Sequence, residues 1–97
     1  MTKAIEELRR RIDELDEQLV RLLSDRAACA LELGRLKRVA GMPVYQPDRE
    51  QAVLTHVRNV NAGPLDDVAM ARLFERIIDE ARRLVREAGT KGGAGVE

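Results

Sequence analysis

Aromatic side chains are almost missing from this chain. Of its 97 residues only Tyr45 and Phe74 carry a benzene ring, and tryptophan is absent. A protein that stacks nucleobases needs aromatic platforms, and one that grips a nucleic-acid backbone needs a basic excess. Here 17 basic residues meet 17 acidic ones for no net charge, so no nucleic-acid partner is expected. No apolar run reaches the roughly 20 residues that a membrane-crossing helix requires. No secretory signal opens the sequence either, so the expectation is a cytoplasmic protein with no membrane contact. The single Cys29 and single His56 lie far apart and make no metal site. Cys29 falls on an apolar stripe, which reads as a small buried hydrophobe in a reducing compartment.

Proline is also missing from residues 3–40, where Gly34 alone weakens a helical pattern. Apolar residues recur there at Ile5, Leu8, Ile12, Leu15, Leu19, Leu22, Cys29, Leu33 and Leu36. The spacing alternates three and four, a seam that faces a partner helix. One beat is cationic, for Arg26 stands where the next apolar residue belongs. A charge on a buried stripe is costly unless an anion meets it. Two readings follow: an internal salt bridge, or an anion-binding pocket within a helical bundle. Lys37 lies eleven residues on, about three helical turns, and returns to nearly the same face. Two cations on one inward face repel each other and fit better around a shared anion.

Length decides how this helix is housed. At about 1.5 Å per residue, residues 3–40 span roughly 57 Å. A compact chain of this size has a radius of gyration near 12–13 Å, so the helix must project beyond any single-chain globule. A second chain is needed to cover its stripe, and a symmetric homodimer supplies one most simply.

Gly41 is placed to cap this helix and Pro43 to prevent its continuation. Pro47 and Asp48 open a second helix with a favourable first turn, whose buried face is Val53, Leu54, Val57 and Val60. Arg49 sits in that turn, where the dipole disfavours a cation, on the inward side. It is either salt-bridged to an acid such as Glu50 or a third inward cation. Asn61-Ala62-Gly63-Pro64 breaks the chain. A third helix is predicted from about Leu65 or Asp66 to Glu87, with Met70, Phe74, Ile77, Ile78, Ala81, Leu84 and Val85 as its buried stripe. Gly89 is expected to end it, leaving residues 89–97 as a glycine-rich disordered tail or linker after a domain of residues 1–88. The fold class is therefore all-α: three helices per chain, one very long, intertwined in a homodimer.

In this order and spacing, several runs resemble the small all-helical chorismate mutases. They are Leu8-Arg9-Arg10-Arg11-Ile12-Asp13 with Leu15-Asp16, Leu22-Leu23-Ser24-Asp25-Arg26, and Glu32-Leu33-Gly34-Arg35-Leu36-Lys37. Pro43-Val44-Tyr45-Gln46-Pro47-Asp48-Arg49-Glu50 and Leu73-Phe74-Glu75-Arg76-Ile77-Ile78 complete the set. The resemblance implies a cofactor-free isomerase of aromatic amino acid biosynthesis that converts the dicarboxylate chorismate to prephenate by a pericyclic step. Arg26 would then pair with a substrate carboxylate, and Lys37 would donate to the ether oxygen. Glu50 would accept from the ring hydroxyl, Arg49 would support the carboxylate end, and Arg9 would reach in from the partner subunit. Spacing agrees on Arg9, which lies about 25 Å along the helix from Arg26 of its own chain.

Three positions depart from the pattern the resemblance implies. Gln46 replaces an aspartate that contacts the hydroxyl, and Ala81 replaces a small hydroxyl residue. Val85 stands where a glutamine or glutamate faces the ether oxygen, which implies lowered turnover. Both Ala81 and Val85 also read as ordinary core. An isochorismate pyruvate-lyase of the same fold would carry nearly the same cations. A catalytically silent dimerisation module would explain the seam but not Arg26, Lys37 and Arg49. The glycine-rich end fits a ragged terminus or a linker to another aromatic-pathway enzyme.

Overall fold

The computed structural model describes residues 2–96, with side chains through Thr90. Three helices follow one another: α1 (Thr2–Val39), α2 (Pro47–Val60) and α3 (Asp67–Val96). Among the described residues, α1 and α2 each pack on α3 rather than on one another. The chain measures 62 × 29 × 15 Å with a radius of gyration of 17.5 Å. That is well above the 12–13 Å or so of a compact chain of this length, because α1 runs far past its neighbours.

Local chemistry sets each helix end. Gly41 adopts φ +71°, the Met42 amide donates to the Lys37 carbonyl at 2.8 Å, and the Gly41 amide donates to that of Arg38 at 3.1 Å. This doubly bonded glycine cap satisfies the last carbonyls of α1 and fixes the turn from which Lys37 projects. Pro47 opens α2 after Gln46, whose own side chain makes no capping bond. Asp66 caps α3: its Oδ1 accepts from the Ala69 amide at 2.7 Å, so the helix proper begins at Asp67. Asn61 ties the intervening loop, donating to the Leu65 carbonyl at 2.8 Å and to Asp67 Oδ1 at 2.9 Å.

The core is small: its buried apolar side chains are Leu54 and Val57 of α2 and Ala71, Ile78 and Val85 of α3. Gly34 is the buried residue of α1. The front of the α1 seam lies open in the single chain, with Leu8 66% and Leu22 63% exposed, and Ile5, Ile12, Leu15 and Leu19 likewise uncovered.

Four expectations are corrected. Cys29 is exposed, because α3 covers only the far end of α1. Val60, the last residue of α2, and Leu84 are also exposed rather than core. Gly89 does not end α3, which continues to Val96. One glycine costs a helix only about 1 kcal/mol relative to alanine, and this one gives room to Arg38, whose Nη1 would lie 3.0 Å from an added Cβ. The helix bounds thus take in most of the stretch expected as a tail; Glu97 lies outside the described residues.

Candidate active site

One cavity of about 300 Å³ opens where α1, the 40–46 loop, α2 and α3 converge. α1 contributes Arg26, Cys29, Ala30, Leu33, Gly34 and Lys37 to its wall. These positions share one side of the helix, since they recur at steps of three and four. The loop adds Val44, Tyr45 and Gln46; α2 adds Arg49, Glu50 and Val53; α3 adds Ile78, Ala81, Arg82 and Val85. Seven of the eight residues singled out from the sequence thus line a single space: Arg26, Lys37, Gln46, Arg49, Glu50, Ala81 and Val85. Arg9 does not. It sits exposed on the projecting part of α1.

Charge is unevenly spread over this wall, which holds four cationic side chains and one carboxylate. Among the described residues no ion pair involves Arg26, Lys37 or Arg49. The internal salt bridges considered for Arg26 and Arg49 are therefore not formed. Arg26 and Lys37 are half-buried, so their mutual repulsion is less screened than in bulk water.

The carboxylate of Glu50 does have a partner. Arg82 Nε donates to its Oε2 at 3.2 Å, and Arg82 Nη2 donates to Oε1. Sequence reading missed Arg82, yet its signal matches that of Arg26: it follows Ile78 by four and precedes Val85 by three, both buried. A cation between two buried positions on one helical face repeats the anomaly seen in α1.

Val85 is 5% exposed and meets Gly34 across the α1–α3 crossing. It is at once core and cavity wall. With Ala81, it makes the α3 side apolar except for Arg82. On the outer surface, by contrast, Arg35 donates to Glu32 at 3.0 and 2.5 Å. That bond holds the Glu32 carboxyl below its ordinary range, and such exposed pairs contribute little to stability.

The fold and this cavity define an all-helical protein in which three of four cavity cations, Arg26, Lys37 and Arg49, have no acidic partner among the described residues. Comparison with known proteins narrows this. Residues 8–86 match the protein family described as chorismate mutase type II, and the chain belongs to that family. A bifunctional chorismate mutase/prephenate dehydratase of Stutzerimonas stutzeri is 46% identical over 83 residues, 79% of this chain and 22% of that protein. The chorismate mutase of Methanocaldococcus jannaschii is 24% identical over 88 residues, 90% of this chain and 89% of that protein. A solved structure of the chorismate mutase of Thermus thermophilus (form II) aligns with a TM-score of 0.82 at 34% identity, covering 84% of this chain and 93% of that one. The chain spans 22% to 24% of the length of bifunctional relatives it matches. No helix among the described residues is long and apolar enough to cross a membrane.

Proposed function

We propose that this chain rearranges chorismate to prephenate, serving aromatic amino acid biosynthesis, and that it does so as a homodimer. The observation that carries the reading is the set of three cations, Arg26, Lys37 and Arg49, on one cavity wall with no internal counter-charge among the described residues. A folded dicarboxylate supplies that charge. Arg26 grips one carboxylate in bidentate fashion, and Arg49 supports the carboxylate end. Gln46 and Glu50 meet the ring hydroxyl. Held in this shape, the two reacting ends lie close, and binding has already supplied much of the orientation that the step requires.

The ether C–O bond then breaks as the new C–C bond forms within the same molecule. Negative charge grows on the ether oxygen, and the Lys37 ammonium stabilises it. No side chain gains or loses a bond, so neither a nucleophile nor a proton relay is needed. Val85 brings no donor to that oxygen, and turnover is lower for it.

The dimer follows from the open seam. Ile5, Leu8, Ile12, Leu15, Leu19 and Leu22 present an apolar face longer than the rest of the chain can cover. An antiparallel second copy covers it and carries its Arg9 toward the first copy's Arg26, closing the cavity. Several relatives are named as fusions with prephenate dehydratase, and an enzyme of that class, consuming prephenate, is a fitting fusion or complex partner in the cytoplasm.

Turnover measured with chorismate and with isochorismate tests the reaction. Prephenate formation is expected; pyruvate release from isochorismate alone replaces the mutase with a lyase of the same fold. A rigid dicarboxylate mimic of the transition state should raise the melting temperature. No shift and no turnover leave only a dimerisation module.

A further inference from the structure

Glu50 is held at two points. The fork of Arg82 fixes the plane of its carboxylate as well as its position, linking α2 to α3 across 32 residues of sequence. Both side chains are largely shielded, with 34% exposure for Arg82 and 24% for Glu50. Arg82 is itself located from two further sides. Its guanidinium carbon lies 4.8 Å from the centroid of the Tyr45 ring, within cation–π range. Its Nη1 is 3.6 Å from Asp79 Oδ1. An ionised carboxylate offers about four acceptor sites, and the fork uses two, so Glu50 keeps acceptor capacity toward the cavity that both residues line.

We propose that Arg82, seated on Tyr45, is a positioning residue that aims the Glu50 carboxylate at the substrate's ring hydroxyl. The inference rests on the reading of Glu50 as the hydroxyl acceptor. Without Arg82, the glutamate's three side-chain torsions relax and its acceptor lone pairs point elsewhere for part of the time. A contact that merely staples α2 to α3 would instead affect every substrate alike. The two roles therefore separate by substrate rather than by stability.

The test compares wild type, Arg82→Gln, Arg82→Lys, Glu50→Gln and the Arg82→Gln/Glu50→Gln pair. Each is assayed on chorismate and on an analogue whose ring hydroxyl is replaced by hydrogen, with melting temperatures recorded alongside. Arg82→Gln is expected to lower kcat/KM for chorismate about tenfold, mostly through KM, as loss of one charge-assisted hydrogen bond implies. Its kcat/KM for the analogue should stay within about twofold of wild type, and the pair should lose little more than Glu50→Gln alone. Arg82→Lys should recover part of the loss. Tyr45→Leu, which removes the platform but no charge, should show a smaller loss confined to chorismate, and it serves if Arg82→Gln does not fold. Equal losses on both substrates, or no loss where Glu50→Gln shows one, overturn the positioning role while wild-type activity stands. An inactive wild type overturns the mutase reading, and this inference with it.

Discussion

Gly34 and Val85 meet where α1 crosses α3: a Cβ built on Gly34 would lie 2.5 Å from Val85 Cγ1. Packed carbon atoms do not approach so closely, so the glycine sets the spacing of the two helices. Both residues also line the cavity, as does Lys37 about one turn further along α1. Gly34→Ala should destabilise the protein by about 1–3 kcal/mol through overpacking, despite the roughly 1 kcal/mol that alanine gains in helix propensity. Urea unfolding measures this, and adding Val85→Ala should cost less than the two single changes summed. A Gly34→Ala protein as stable as wild type contradicts the close crossing.

Val85 leaves the ether oxygen with Lys37 as its one expected donor. Val85→Gln should raise kcat/KM for chorismate, up to the roughly 100- to 1,000-fold that one transition-state donor is worth. The longer side chain must turn from Gly34 into the cavity, so a small loss in melting temperature should accompany the gain. Unchanged kcat/KM shows that Lys37 suffices.

Arg26 is not spoken for by any acid of its own chain among the described residues. Arg26→Ala should therefore reduce kcat/KM by at least about 100-fold while leaving the oligomer intact by light scattering. Retained activity places substrate elsewhere.

Arg9 and Arg26 should belong to one site only through two chains. Arg9→Ala and Arg26→Ala proteins should each be nearly inactive. Unfolding and refolding them together should restore about a quarter of wild-type activity, because half of the dimers are mixed and each mixed dimer has one intact site. No recovery means that Arg9 does not cross the interface.

The sequence disclosed Arg26 and Lys37 because a cation breaks an otherwise apolar period, and the structure puts both on one wall. Gly41 was legible for a similar reason: its left-handed backbone is a local requirement. Arg82 went unread although it interrupts α3 in the same manner, since the partner that gives it meaning, Glu50, is distant in sequence. Gly89 was misread as a stop. Local propensity makes glycine a helix end, whereas here its bare backbone accommodates Arg38 from α1.

By itself the sequence determined three helices, their order, and a long first helix whose apolar seam outruns one compact chain. Period, caps and breaks are local properties that the chain carries wherever it folds. Only the tertiary structure decided which charges are answered: Glu50 is matched by Arg82, while Arg26, Lys37 and Arg49 share a cavity unmatched among the described residues. Pairing depends on side chains approaching within a few ångströms, and for residues on different helices no spacing along the chain fixes that distance.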